Sequence, residues 1–140
     1  MKTITQLFDE ALEKKRERKW ECIYVMVDLH GVILPSSYHL KNDLVFTNDY
    51  AKIALQTLTV VDDVKLILWT SSYPKEIDEV LAWLDKQKIY FDYVNRNPLE
   101  KNTKYADFTE KPYFNVLLDD KAGFDPSVDW EELVLYFTKP

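Results

Sequence analysis

Four short apolar runs, at residues 22–27, 64–69, 91–94 and 113–118, recur along the chain with helix-patterned or polar segments between them. Each is rich in β-branched or aromatic residues and bounded by polar punctuation, so each reads as a strand. Between the first two, residues 49–60 carry Ile53, Ala54, Leu55 and Leu58. Between the second and third, residues 74–86 carry Ile77, Val80, Leu81 and Leu84 at helical spacing, with Pro74 in a favoured first-turn position. Strands alternating with helices specify a mostly parallel sheet covered on both faces, a three-layer α/β/α sandwich. Ahead of the first strand, Ile4, Leu7, Phe8, Ala11 and Leu12 follow Thr3, a candidate N-cap, and predict an amphipathic helix over about residues 3–19. Its mixed-sign end, residues 14–19, reads as a solvated terminus that complements the helix dipole. At the other end of the chain, Asp129 is a candidate N-cap with Glu132 three residues on. That pattern predicts a closing helix, with a strand as the alternative.

With 140 residues, 46% of them hydrophobic, the chain can bury one core, so a single domain over 1–140 is expected. A net charge of -6 argues against a broad electrostatic footprint for nucleic acid or an anionic membrane and leaves open only a local basic patch. Cys22 is the sole cysteine and borders an apolar run, which suggests a buried small hydrophobe and rules out an intrachain disulfide. No stretch approaches the roughly 18 apolar residues of a membrane span, and the first residues lack the apolar heart of a signal peptide. A cytoplasmic setting without a membrane partner is the expectation.

Ligands of open α/β sheets bind outside the carboxyl ends of the strands. The residues that leave the four runs there are Asp28, then Thr70, Ser71 and Ser72, then Asn95 and Arg96, and finally Asp119 and Asp120. Carboxylates gathered at one edge repel one another unless a hard cation joins them, and Mg²⁺ prefers oxygen ligands of this kind.

The stretch Val27-Asp28-Leu29-His30-Gly31-Val32 resembles the first motif of the haloacid-dehalogenase-like (HAD) phosphohydrolases, an apolar strand ending in Asp-x-Asp-Gly. Leu66-Ile67-Leu68-Trp69-Thr70 resembles their second motif, and Val116-Leu117-Leu118-Asp119-Asp120 their fourth, in the right order across nearly the whole chain. The resemblance implies a HAD-like Rossmannoid fold and a phosphatase. Asp28 would be its nucleophile, forming an aspartyl-phosphate, and Thr70 would donate its hydroxyl to a phosphate oxygen. Asp28, Asp119, Asp120 and the backbone carbonyl of His30 would hold Mg²⁺. Ser71 is a further candidate for the phosphorylated substrate, which is either a small molecule or a macromolecular end.

The resemblance also implies a lysine facing the phosphate. Lys101, Lys104 and Lys111 all lie between the third and fourth runs. Lys101 and Lys104 follow the third strand on the active side and are favoured, Lys104 first. A strand over 113–118 sets Lys111 ~20 Å from Asp119 at 3.3 Å per residue, unless the loop before it folds back.

His30 departs from the family pattern, in which a second Asp is the general acid and base. Imidazole can perform that proton transfer near neutrality. The alternatives are a histidine that fills the loop, or a metal- and phosphate-binding or regulatory protein with little turnover. Residues 32–48 leave room for a small flap and for no large cap domain; Tyr38, His39, Trp69 and Tyr73 are read first as core or surface packing, with stacking on a substrate base or ring as the alternative. A response-regulator receiver fits less well, because its acidic pair follows the first strand.

Overall fold

The computed structural model describes residues 2–36 and 44–138. Among the described residues four α-helices and four strands follow one another as α1 (Ile4–Arg18), β1 (Ile23–Asp28), α2 (Asp49–Val60), β2 (Val64–Trp69), α3 (Pro74–Lys86), β3 (Tyr93–Val94), β4 (Val116–Leu118) and α4 (Pro126–Phe137). The sheet is entirely parallel, in the order β3-β2-β1-β4, which makes this a Rossmann-like α/β sandwich.

Helix starts follow from their caps. Thr3 and Gln6 form a capping box, the Thr3 hydroxyl accepting from the Gln6 N–H and the Gln6 side chain accepting from the Thr3 N–H. Asn48 caps α2 through its Oδ1 and donates its Nδ2 to the Pro126 carbonyl (2.7 Å), tying the starts of α2 and α4 together. α4 starts earlier than the sequence suggested. Asp125, not Asp129, is its N-cap, because Pro126 fits the first helical position and Asp125 Oδ1 accepts from both the N–H and the hydroxyl of Ser127. Asp129 lies in the first turn, where its carboxylate accepts the Asp125 N–H.

The strands divide their side chains between two faces. Ile23, Val25 and Val27 of β1, with Leu66 and Leu68 of β2, share one core with Phe8, Leu55, Val80, Leu84, Trp130 and Leu133, so all four helices contribute to that face. Tyr24, Met26 and Ile67 point the other way and meet Tyr113 and Phe114, which belong to the connection between β3 and β4. β1 is therefore buried on both faces, as its uninterrupted apolar run requires.

The third and fourth apolar runs form shorter strands than their sequence suggested. Phe91 precedes β3 and packs with the helix-covered core, whereas Tyr113 and Phe114 precede β4 and pack on the opposite face. Ile53, expected in the apolar stripe of α2, is 42% exposed, and Ala51, Ala54, Leu55 and Leu58 carry the burial instead. Cys22 is buried, with its thiol pushed up mainly by burial. No described helix is long and apolar enough to cross a membrane.

Register sets the site. Asp28 is level with Trp69, and Val27 is level with Leu118, so the residues that follow β1, β2 and β4 emerge along one edge. The strand order runs outward from β1 to β3 and then returns to β4 on the other side of β1, a reversal that opens a crevice at the strand ends.

Candidate active site

A cavity of about 690 Å³ opens at that crevice. Asp28, His30, Asp119 and Asp120 line one part of it, and Trp69, Thr70, Ser71 and Asn95 another. Ser36, Glu110 and Lys121 complete the lining.

The loop after β1 presents its residues through a tight return of the chain. Leu29 accepts backbone bonds from Ile33 and Leu34, and Gly31 N–H donates to the Leu34 carbonyl (2.7 Å), so His30 is set opposite Leu34 in a parallel bridge. Val32 anchors the loop from below. Its carbonyl accepts from Thr47 Oγ1 (2.9 Å) and from the fully buried indole N–H of Trp130 (3.0 Å). Gly31 has φ +88°, and a Cβ there would lie 2.5 Å from Asp120 Oδ2. Glycine thus serves both the backbone turn and the approach of the acidic pair.

Asp28, Asp119 and Asp120 each offer a carboxylate oxygen within 4.8 Å of the others. Burial, and then the negative charges of Asp119 and Asp120, push the Asp28 carboxyl up to about 6. Asp119 is oriented by the Lys121 N–H, which donates to its Oδ1 (2.9 Å). Gly123, at φ +103°, then turns the chain away toward α4.

On the other side of the cavity Asn95 clamps Thr70. Its Oδ1 accepts the Thr70 N–H and its Nδ2 donates to the Thr70 carbonyl, both at 2.8 Å, so one side chain extends the β2–β3 ladder where β3 has ended. Asn95 adopts φ +58°, a conformation asparagine tolerates better than most residues. The Thr70 hydroxyl meets Ser72 Oγ at 2.8 Å. Neither Ser71 nor Ser72 caps α3; the N-cap is Tyr73, without a side-chain bond. Ser72 Oγ lies 3.4 Å from His30 Nε2, and His30 Nε2 is paired with Glu76 Oε1 at 3.0 Å. Glu76 is held below the usual carboxylate range, first by the Ser72 hydroxyl and then by His30.

The cavity thus unites Asp28, His30, Thr70, Ser71, Asp119 and Asp120. Lys101 and Lys104 do not line it. After β3 the chain leaves the edge and crosses the sheet face: Asn97 Nδ2 donates to the Tyr113 carbonyl (3.0 Å), and Glu100 accepts the hydroxyl of Tyr24, the second residue of β1 (3.0 Å). By residue 100 the chain has reached the amino end of the strands. Lys101 lines a separate cavity with Cys22 and Tyr24, and Lys104 Nζ lies 5.0 Å from the Tyr105 ring centre. The chain later folds back, because Glu110 lines the acidic cavity. That return removes the premise that set Lys111 far from the site. Among the described residues, Lys121 is the lysine that lines it.

Trp69 also lines the cavity, Tyr73 is 85% exposed, and Tyr38 and His39 lie outside the described residues. Sequence reasoning passed over Glu76, although a signal existed: a Glu at the third helical position behind Tyr73 has no Ser, Thr or Asp with which to close a capping box.

No family model matches the chain, and no match was found among curated proteins. Among solved structures it is similar to the "conserved protein coded by locus from Bacteroides thetaiotaomicron", with a TM-score of 0.60 and 22% identity over 81% of this chain and 88% of that one. That likeness concerns the fold.

Proposed function

We propose that this chain is a Mg²⁺-dependent phosphohydrolase of the HAD type, acting on a phosphorylated substrate through Asp28. The observation that carries the reading is the convergence of Asp28, Asp119 and Asp120 at the strand-order reversal, beside the hydroxyl of Thr70.

The donor set suits a hard cation. Opposite ligands of an octahedral Mg²⁺ stand ~4 Å apart, so carboxylate oxygens within 4.8 Å of one another need only small adjustments. Asp28, Asp119, Asp120 and the His30 carbonyl would hold the ion, which supplies positive charge to the carboxylates and to phosphoryl oxygens. Asp28 Oδ attacks phosphorus as the bond to the leaving oxygen breaks, and His30 gives that oxygen a proton. Water then attacks phosphorus and passes a proton back to His30, which releases inorganic phosphate and restores the Asp28 carboxylate. Thr70 and Lys121 take the phosphate oxygens.

Release of phosphate from an aryl phosphate, with and without Mg²⁺, tests the reading. Activity should require the metal and vanish in Asp28→Asn; hydrolysis that survives this substitution refutes the nucleophile. A silent wild type with an active His30→Asp variant would favour a metal- and phosphate-binding protein instead.

A further inference from the structure

Glu76 has a use that its position on α3 does not explain. A Glu at the third position of a helix normally reaches back to its own cap. Here the N-cap, Tyr73, makes no side-chain bond, and the Glu76 carboxylate spans 46 residues of sequence to meet His30 Nε2 at 3.0 Å. The contact joins a helix N-terminus, which favours an anionic side chain, to the loop that carries the nucleophile. The two side chains are 16% and 37% exposed, a setting in which an ion pair contributes little to stability. Ser72 reinforces the arrangement, since its hydroxyl contacts His30, Thr70 and the Glu76 carboxylate.

We infer that Glu76 is a positioning residue that fixes the His30 ring, with Ser72, for proton transfer to the leaving group. This rests on the phosphohydrolase reading. An ionised carboxylate can only accept, so His30 Nε2 is the donor in the pair; the ring is held in one orientation, and the proton it gives to the leaving group and later takes from water is the one on Nδ1. The same residue explains how a histidine can occupy the general-acid position: an imidazole there needs an external acceptor to set its orientation, and Glu76 supplies one from the neighbouring helix.

The test compares kcat/KM on p-nitrophenyl phosphate, whose leaving group needs little protonation, with that on phenyl phosphate, whose leaving group needs more; kcat/KM reports the step in which the leaving group departs and not the later hydrolysis of the aspartyl-phosphate, which both substrates share. Glu76→Ala should lower kcat/KM on phenyl phosphate by about tenfold or more, a part of the 10²–10⁴ that general acid catalysis supplies. It should affect kcat/KM on p-nitrophenyl phosphate far less. Glu76→Gln, which can still accept from Nε2, should retain most of the activity. In a His30→Asp background, Glu76→Ala should lose its leaving-group dependence. An equal loss on both substrates, or the same loss without His30, overturns the inference and makes Glu76 merely structural. If the wild type releases no phosphate, the phosphohydrolase reading fails, and ring ¹⁵N shifts still decide the positioning claim. The His30 signals, identified by their disappearance in His30→Asp, should report an Nε2-protonated ring in wild type and Glu76→Gln that is lost in Glu76→Ala. An unchanged ring in all three refutes it.

Discussion

Removing the proposed nucleophile should make the metal-free protein more stable. Asp28 is driven from an ordinary carboxylate value of 3.8 up to about 6 by burial and by Asp119 and Asp120. Each pKa unit corresponds to ~1.36 kcal/mol, so the shift would amount to ~3 kcal/mol at full strength. Asp28 is only partly buried, and solvent screening reduces the figure to ~1–1.5 kcal/mol. The sign follows from linkage. Because the folded pKa is raised, the native state holds its proton more tightly between pH 3.8 and about 6. The associated stability is complete below the lower value and lost as pH rises through the upper one. Asp28→Asn keeps an acceptor for the Leu29 N–H and removes the charge. In EDTA at pH 7.5 and low salt, the variant should therefore melt ~4 °C above wild type, using the usual scaling for a chain of this size. The advantage should shrink through pH 5 and vanish near pH 4. A variant that melts at or below wild type at pH 7.5, or whose advantage persists at pH 4, refutes the account of a strained acidic cluster.

Mg²⁺ should reverse that order: at a concentration 100 times its Kd it should stabilise wild type by ~2.7 kcal/mol. Thermal melts across a Mg²⁺ series should show this gain abolished in Asp119→Asn and retained in Lys104→Ala, and an equal gain in Asp119→Asn would count against the site. Gly31→Ala should cost ~1–3 kcal/mol from its left-handed backbone alone, and more because the Cβ meets Asp120 at 2.5 Å. Urea melts would measure it, and a neutral result would show that the loop has an alternative path. Trp130→Phe should cost ~1–2 kcal/mol, since Thr47 still satisfies the Val32 carbonyl. Combined with Thr47→Val the cost should exceed the sum of the singles, because the carbonyl then loses both partners; strict additivity in a double-mutant cycle would contradict this.

The parts of the structure legible in the sequence are those governed by burial on both faces or by local caps. β2, α2 and α3 lie where the apolar periodicity set them, and Thr3 and Pro74 mark helix starts through interactions with near neighbours. Asp28, Thr70, Asp119 and Asp120 could be placed together because a parallel sheet aligns its carboxyl ends. The lysines could not. Their location depends on where the chain goes after β3, and nothing local in residues 95–115 shows that Asn97 bonds to Tyr113 or Glu100 to Tyr24. Aromatic residues there, such as Tyr113 and Phe114, look like strand residues but serve as cover for the sheet. Glu76 was hidden for a related reason: its partner is distant in sequence, and only an unclosed cap marked it.

The connection between β3 and β4 has a consequence for anyone redesigning this scaffold. Loops around a sheet edge are ordinarily interchangeable modules, free to diversify because the framework beneath stands without them. In this chain the stretch that delivers Glu110 to the cavity is also the roof over Tyr24, Met26 and Ile67. Grafting a foreign loop across 97–115 would uncover the sheet along with the site. Insertions confined to the exposed tip at 102–105 would leave the anchors at Asn97, Glu100 and Tyr113 in place. The lining of the cavity and the integrity of the fold are thus wired through one segment, and selection or design can alter the first only within limits set by the second.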